Sequence, residues 1–385
     1  MDKGNVLVLG NSGVGKSTLI NAVLGDCEQL AETGSGIAGT TTEAAIYTND
    51  SLPFRLIDTM GFEPSFFKEQ KAIHAIKKMS KDSAKKGREV DQINVIWFCI
   101  DGTSRKLFPK AIQNMQKATS MWKNVPVIVV ITKSYSISER EDNIRMVEEA
   151  FAAHKRSSLN VKRIIPVVAA TYALNETAFA PPEGITELID ATNELMPDGL
   201  QAAEQVLSSY KLMKKRAMVQ GIIGLSTSSA VAVGLTPTSF ADALLLQPLE
   251  VAEIASIAKI YGIKKDMSSK AFFDAIVEIG TVSAVAKTAI AALKNIPGIN
   301  IGAAALNAII AGSIVAALGE GSAYAFEQVY LGNKTLADIE WLKNMLEAKL
   351  SKNLIPQVTK LLKENGGNLN KKAIAKMVME IFVRK

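Results

Sequence analysis

The sequence predicts an α/β domain with a mostly parallel sheet, followed by an all-α helical domain. In the first half, short apolar runs rich in β-branched residues alternate with longer polar stretches, a pattern typical of a parallel sheet covered by helices. Turn residues interrupt this pattern at Pro181-Pro182 and at Pro197-Asp198-Gly199. From Leu200 onward the composition changes to Ala, Ile, Leu, Gly and Ser at helical spacing. We therefore predict one domain over 1–200 and a second over 201–385.

Six runs in the first half have the length and composition of strands, and the end of the chain has the pattern of amphipathic helices. The predicted strands are Val6–Gly10, Ala44–Thr48, Phe54–Thr59, Ile93–Asp101, Val125–Lys133 and Arg163–Ala170. The predicted amphipathic helices lie in the Lys-rich tail Ala337–Lys385.

Length and composition limit the class of protein. A chain of 385 residues is too long for one typical core, which supports two domains. Its two cysteines, Cys27 and Cys99, argue against a disulfide framework and indicate a reducing compartment. The opening MDKGNVLVLG lacks the basic and apolar regions of a secretory signal, so a cytoplasmic location is expected. The formal charge of +6 is a weak indication of an anionic partner, because 38 acidic residues offset the basic ones.

A phosphate-binding motif follows the first predicted strand. The segment GNSGVGKS at 10–17 has the spacing G-x-x-x-x-G-K-S and precedes the apolar helical run Thr18–Leu24. Glycines let the backbone wrap a phosphate closely, and the amides at the helix N-terminus face the anion. We predict that Lys16 reaches the outer phosphates and acts in catalysis, and that Ser17 binds Mg²⁺. The predicted phosphate contacts are Gly10, Asn11, Ser12, Gly13, Val14, Gly15, Lys16, Ser17 and Thr18.

Two further segments have the order of nucleotide switches. Asp58-Thr59-Met60-Gly61 ends a predicted strand, and Gly39-Thr40-Thr41-Thr42 lies between it and the phosphate motif. This ordered set resembles the P-loop GTPases of the TRAFAC class, in the Era-like and septin-like branch. The resemblance implies GTP or GDP and Mg²⁺ as cofactors, Asp58 as a metal ligand and nucleotide contact, and Gly61 as a catalytic γ-phosphate contact. Either Thr41 or Thr42 fits the catalytic, metal-binding switch threonine, depending on which neighbour anchors the alignment.

Two positions in these motifs depart from common relatives. Phe62 follows Gly61 where many relatives carry a glutamine that orients water, and phenylalanine cannot do this. The resemblance is therefore to the branch in which intrinsic hydrolysis is slow and the missing group comes from elsewhere in the protein or from a partner. Gly13 stands where potassium-activated relatives carry asparagine, which counts against that mechanism.

The base-recognition motif is only partly present. Relatives carry [NT]-K-x-D at the end of the next strand, and here Thr132 and Lys133 match while Tyr135 replaces the aspartate. A phenol cannot accept two hydrogen bonds as a carboxylate does, so guanine selectivity over adenine is weakened. Glu139 or Glu141 could substitute if the loop folds back. The final base-contacting loop is predicted after the strand at 163–170, with contact through the backbone of Ala170. GTP remains preferred over ATP because the order of the switch motifs belongs to GTPases.

The helical half contains two long uncharged runs, Ala217–Leu235 and Asn295–Gly319. Each is long enough to span a bilayer, which needs about 20 residues. Both are rich in Ala and Gly rather than Leu, so their insertion into lipid would be weakly driven. A tightly packed helical domain, in which small residues let backbones approach, is the preferred interpretation. Basic clusters beside the runs, such as Lys214 to Arg216, keep the membrane alternative open.

Residues 205–330 resemble a helical domain of unknown role that follows Era-like and septin-like GTPase domains in bacteria and occurs alone in YcjF-type membrane proteins. The matching segments are Thr236–Asp242, Gln247 and Ile257–Gly262. The layout is also similar to that of interferon-inducible immunity GTPases.

These motifs suggest a switch that binds guanine nucleotide, hydrolyses GTP slowly and transmits its nucleotide state through the helical domain to an unidentified protein partner. The alternative is a dynamin-like or immunity-type GTPase that forms a homodimer across its nucleotide face and acts on an anionic surface, peripherally or integrally at the inner membrane. Nucleic-acid binding ranks last, because no RNA-binding module or interleaving of aromatic and basic residues is found.

Overall fold

The computed structural model describes thirteen stretches of the chain. They are 3–25, 44–59, 92–104, 112, 122, 124–153, 160–175, 178–236, 243–280, 291, 302–350, 355–364 and 370–382. The predicted switch residues Thr40, Thr41, Thr42, Gly61 and Phe62 lie outside these stretches. Contacts within the chain define two compact units. The first is Met1–Ala170 with Pro182–Lys214, and the second is Thr171–Pro181 with Lys215–Lys385.

The first unit contains a six-stranded, mostly parallel sheet, as the sequence predicts. The spatial order is β2-β3-β1-β4-β5-β6, and only the β2–β3 pair is antiparallel. The strands are β1 (Gly4–Leu9), β2 (Ala44–Tyr47), β3 (Phe54–Thr59), β4 (Val95–Asp101), β5 (Pro126–Thr132) and β6 (Asn160–Pro166). The described helices of this unit include α1 (Lys16–Leu24), α2 (Arg140–Ala153) and α3 (Ile185–Glu194). Helix α4 (Glu204–Leu235) begins in the first unit, and its residues from Lys215 onward belong to the second unit.

Four predicted strand ends differ from the structure, and those predicted at Gly10 and Thr48 lie one residue beyond the observed Leu9 and Tyr47. The last strand ends at Pro166 rather than at Ala170, because Val168 pairs with Glu183 in an isolated antiparallel bridge instead of continuing beside β5. The strand β5 ends one residue before Lys133, whose φ of +54° is incompatible with extended backbone.

The central strands β1, β4 and β5 are almost fully buried, which explains their continuous apolar runs. Trp97 on β4 has no exposed surface, its ring meets Phe54 edge-on at 6.1 Å, and its Nε1–H donates to the Thr192 hydroxyl at 2.9 Å. The indole therefore packs in the core with its polar group satisfied.

The second unit contains a short hairpin and a set of helices. The hairpin strands are β7 (Tyr172–Ala173) and β8 (Phe179–Ala180). The described helices after α4 are α5 (Ala243–Ile260), α6 (Lys270–Glu278), α7 (Ala303–Tyr330), α8 (Ile339–Ala348), α9 (Ile355–Glu364) and α10 (Lys371–Phe382). Small residues let α4 and α7 approach closely: a side chain at Gly234 would lie 2.5 Å from the Cα of Ala308.

Within the described residues, α4 and α7 have the length and apolar composition that crossing a membrane requires. Their most apolar windows are 39% and 67% buried inside the protein. The central residues of α7, from Ala308 to Gly319, are all buried. The α7 window is therefore mostly enclosed by the helical unit, the α4 window is enclosed in smaller part, and composition alone is weak support for a membrane span.

Candidate nucleotide site

The turn between β1 and α1 has a backbone that requires glycine. Gly10 has φ +151°, and a side chain there would lie 2.5 Å from the carbonyl oxygen of Cys99 on the neighbouring strand β4. Gly13 and Gly15 have φ values of +79° and +96°, in the region that residues with side chains rarely adopt. Nothing lies within 4 Å of the position that a side chain at Gly13 would take. The loop therefore has the curved, open backbone that can surround an anion.

Lys16 lies inside this loop. The residue is only 6% exposed, and its Nζ donates to the carbonyl oxygens of Gly10 at 2.8 Å and Asn11 at 3.2 Å. A lysine ammonium has three donors, and these two bonds hold it within the curve of the loop. This is the position in which an ammonium can contact a bound phosphate.

The start of α1 is suited to an anion. Gly15 is its N-cap, no side chain caps the helix, and no acidic residue lies in its first turn. The first amides of a helix have no intrahelical acceptor, and the helix dipole favours negative charge there. Ser17 and Thr18 are exposed in this first turn, so their hydroxyls are accessible to a ligand.

Asp58 is at the end of β3, paired in register with Val8 of β1. It is 7% exposed, and its Oδ1 is buried without a hydrogen-bond partner. Burial raises the pKa of Asp58, and the nearby positive charge of Lys16 offsets part of this rise. A buried carboxylate oxygen without a hydrogen-bond partner, close enough to Lys16 to feel its charge, is the kind of oxygen ligand that Mg²⁺ prefers.

Thr132 and Lys133 join the phosphate loop to the end of β5. The Thr132 hydroxyl donates to the carbonyl oxygens of Val14 at 2.5 Å and Ile100 at 2.9 Å, and Lys133 Nζ donates to that of Gly13 at 2.8 Å. The predicted phosphate and base-recognition segments thus meet at the carboxyl edge of the sheet, where open α/β sheets bind ligands.

The loop after Lys133 is held by a residue that sequence reasoning missed. Arg140 donates two hydrogen bonds to the carbonyl oxygen of Ser134, at 2.9 and 2.7 Å, and its Nη1 lies 2.5 Å from the Glu183 carboxylate. Arginine at the start of a helix carries no distinctive signal, so only the folded loop identifies it. Glu139 and Glu141, proposed as substitutes for the missing aspartate, are both exposed.

Other residues near the site have limited roles. Ala170 is exposed at the end of the segment that follows β6. Burial raises the pKa of the Cys99 thiol to about 12, so this cysteine stays protonated at neutral pH and is not a nucleophile. Among the described residues, no cluster of three or more His, Cys, Asp or Glu could hold a metal ion by itself. A metal here would need phosphate oxygens in addition to protein ligands.

Comparison with known proteins agrees with this geometry. Residues 5–133 match the 50S ribosome-binding GTPase family. The chain is 27% identical over 206 residues to GTPase Era of Aquifex aeolicus, covering 52% of this chain and 58% of that protein. It is 26% identical over 189 residues to GTPase Der of Geotalea daltonii, covering 48% and 40%.

Among solved structures, a single-residue variant of Aquifex aeolicus Era bound to GDP·AlF4⁻ is 24% identical, with a TM-score of 0.33, and the match covers 57% of this chain and 68% of that chain. The chain spans about half the length of the curated Era proteins it matches. The N-terminal part of the chain is a P-loop GTPase domain, with relatives among the Era and Der proteins.

Proposed function

We propose that this protein binds guanine nucleotide with Mg²⁺, hydrolyses GTP slowly and uses the two nucleotide states as a switch. One observation carries the proposal: the glycine-dependent loop around Lys16 is bonded directly to Thr132 and Lys133, the two matched residues of the base-recognition motif. The proposed phosphate-binding loop and the lysine proposed to contact the base are therefore joined by direct hydrogen bonds. The Era and Der relatives, which are GTPases by name, support the same class of reaction.

In this proposal, different residues at the carboxyl edge of the sheet bind the phosphates and the metal ion. The loop amides and Lys16 would hold the β- and γ-phosphates, and Ser17 and Asp58 would hold Mg²⁺. When bound, the metal would neutralise charge that develops on the phosphate oxygens. The buried and unpartnered Oδ1 of Asp58 is the structural feature that supports this assignment.

Hydrolysis is proposed to be slow because of a residue outside the described stretches. Phe62 follows Gly61 in the sequence, and a phenylalanine has no group that can orient the attacking water. The catalytic roles of Gly61 and of Thr41 or Thr42 remain part of this proposal. The group that completes catalysis would then come from elsewhere in the chain, from a second copy across the nucleotide face or from another protein.

The preference for guanine is also part of the proposal. Thr132 and Lys133 match the family motif, and Ala170, an exposed residue, is available to a base. Tyr135 replaces the carboxylate that would accept the N–H groups of guanine, so we expect a smaller ratio of GTP to ATP affinity than a complete motif would give. Comparing the affinities of non-hydrolysable, fluorescent GTP and ATP analogues measures this ratio directly.

The decisive experiment is nucleotide binding by Lys16→Ala. We expect the affinity for a fluorescent GTP analogue to fall by about tenfold to a hundredfold, the effect of losing a charge-assisted hydrogen bond. Lys162→Ala, at an exposed position on β6, is the matched control and should bind like the wild type. Thermal unfolding without nucleotide shows whether each variant is folded. A folded Lys16→Ala protein with unchanged affinity and turnover would contradict the proposal.

For the helical unit we propose transmission of the nucleotide state to a protein partner. The burial of α7 supports a packed core over bilayer insertion. Flotation with anionic liposomes at near-physiological salt tests this, once with a non-hydrolysable GTP analogue and once with GDP. We expect no flotation in either state. Flotation with the GTP analogue alone would instead favour the alternative in which the switch acts on a membrane, and would reopen the YcjF-type resemblance of residues 205–330.

A further inference from the structure

Lys133 has a backbone conformation that needs support from its surroundings. Its φ of +54° is the only positive value of a non-glycine residue in the described parts of the chain. Such a conformation is strained and persists only where neighbouring contacts determine it. The side chain of the preceding residue, Thr132, is held by hydrogen bonding to Val14 and Ile100. These contacts fix the chain as far as Thr132, so the conformation of Lys133 itself needs further contacts.

The side chain of Lys133 is fixed at two points. Its Nζ donates to the carbonyl oxygen of Gly13 at 2.8 Å and to Oδ2 of Asp101 at 2.7 Å. The Lys133 and Asp101 side chains are 32% and 15% exposed, so water screens this pair only in part. The ammonium is therefore held between the phosphate loop and the end of β4.

Asp101 is itself held in place. Its Oδ1 accepts hydrogen bonds from the Thr103 amide at 2.9 Å and from the Thr103 hydroxyl at 2.6 Å. Burial acts to raise the pKa of Asp101, but hydrogen bonds from Lys133 and Thr103 outweigh it and lower the pKa below its usual value. The carboxylate is therefore ionised at neutral pH, and each of its oxygens already has a partner in the protein.

The position of Asp101 follows from the sheet. It is the last residue of β4 and is paired in register with Thr132, the residue before Lys133. A carboxylate at this end of β4 is thus next to the base-recognition lysine. Because both of its oxygens accept bonds from Thr103 and Lys133, it acts on the lysine rather than on a base.

We propose that Asp101 is a positioning residue of the nucleotide site, whose carboxylate holds Lys133 against the phosphate loop so that the lysine stem can contact the face of the base. This inference rests on the proposed function, because it assigns a role within the same site. Asp101 thereby contributes to selectivity for a purine nucleotide. In this motif Tyr135 replaces the carboxylate that usually binds the base.

A double-mutant cycle tests this role. The proteins are the wild type, Asp101→Asn, Lys133→Met and the double variant, and methionine keeps an apolar stem without the ammonium. We expect Asp101→Asn to weaken binding of a fluorescent GDP analogue by about tenfold, mainly through faster dissociation. If Asp101 acts through Lys133, the double variant should bind no more weakly than Lys133→Met alone. Asp101→Glu should recover part of the loss.

Two further variants separate positioning from general stability. Asp142→Asn removes an exposed carboxylate that pairs with Arg145 on α2, and it should keep wild-type affinity. Thr103→Val leaves Asp101 ionised but removes the hydrogen bond from the Thr103 hydroxyl. We expect it to lower the affinity for the GDP analogue less than Asp101→Asn does. In the Lys133→Met background it should lower the affinity no further. If Asp101→Asn does not fold, as judged by thermal unfolding, the cycle is carried out with Thr103→Val.

The outcomes are distinct. Unchanged affinity in folded Asp101→Asn, or losses that multiply in the double variant, would overturn the role of Asp101 while leaving nucleotide binding intact. Failure of the wild type to bind GDP or GTP analogues would instead remove the proposed function, whatever the variants do.

Discussion

The hydroxyl of Thr132 donates a 2.5 Å hydrogen bond to the carbonyl oxygen of Val14, so the end of β5 is bonded to the phosphate loop 118 positions earlier in the chain. The same hydroxyl donates to Ile100 at the end of β4. A single buried side chain therefore links three segments at the carboxyl edge of the sheet. Several features of the site depend on this arrangement.

Thr132→Val should weaken both the fold and the nucleotide site. Valine has nearly the shape of threonine but no hydroxyl, so the carbonyl oxygens of Val14 and Ile100 lose the single O–H donor that they share. We expect the free energy of unfolding to fall by about 1–3 kcal/mol, with weaker GDP binding. Urea denaturation and a fluorescent GDP analogue measure the two effects. Thr236→Val is the control, because its exposed hydroxyl donates to the carbonyl oxygen of Val233, three residues earlier near the end of α4, and a comparable loss there would contradict the link.

Gly10 and Gly13 should respond differently to alanine. A side chain at Gly10 would meet the Cys99 carbonyl of a buried strand, whereas one at Gly13 would meet nothing within 4 Å. We expect Gly10→Ala to cost about 2–5 kcal/mol of stability, from overpacking and backbone strain together. Gly13→Ala should cost about 1–2 kcal/mol, from its positive φ alone.

Urea denaturation without nucleotide compares these two variants. Gly199→Ala is the control, because its position has neither a positive φ nor a close neighbour. Equal losses at Gly10 and Gly13 would show that contact with β4 does not determine the loop.

Asp58→Asn should remove the effect of magnesium on GTP binding. Asparagine keeps the shape of the side chain but lacks the charge that Mg²⁺ favours in its ligands. We expect Mg²⁺ to tighten GTP binding of the wild type by about tenfold or more, and of the variant far less. With EDTA the two proteins should bind alike. Asp198→Asn, at an exposed position, should keep the wild-type response. An undiminished magnesium effect in Asp58→Asn would exclude Asp58 as a ligand.

Glu253 should make the helical unit sensitive to pH. It is fully buried on α5. Burial raises its pKa well above the ordinary 4.5, and the charges of Glu250 and Glu320 raise it further. The folded protein therefore keeps this proton at pH values where the unfolded chain has lost it. Stability from this group is full below about pH 4.5 and decreases as the pH rises toward the folded-state pKa.

Glu253→Gln should reduce this loss, because a neutral amide needs no proton and can donate to nearby carboxylates. We expect its free energy of unfolding at pH 8 to exceed that of the wild type by about 1–3 kcal/mol, with a smaller difference at pH 5. Urea denaturation across this range is the measurement. Glu278→Gln, which removes an exposed carboxylate paired with Lys343, is the control. Parallel pH profiles for the wild type and Glu253→Gln would contradict the prediction.

Much of the first unit could be predicted because its signals are local. Glycines at fixed spacing between a strand and a helix reflect backbone angles that only glycine adopts easily, and the structure has positive φ at Gly10, Gly13 and Gly15. The fold class was predicted correctly, since buried parallel strands leave continuous apolar runs. The switch residues Thr41, Thr42 and Gly61 stay predictions.

The partners of individual side chains could not be predicted in the same way. Nothing in the sequence around Arg140 shows that it holds the carbonyl of Ser134 and meets Glu183. The hairpin at 171–181 belongs to the second unit although the chain on both sides belongs to the first, and turn residues alone did not indicate this. The apolar runs in the helical half were ambiguous because a packed helix and a membrane helix share composition and length.

By itself, the sequence determined the phosphate loop, the order of strands and helices, and the matched Thr132-Lys133 pair, because each depends on residues close together in the chain. Only the tertiary structure decided that Asp101 reaches Lys133, that Asp58 keeps a buried oxygen without a partner, and that α7 is enclosed by its neighbours. Those relationships depend on strand order and helix packing, which bring together residues distant in sequence.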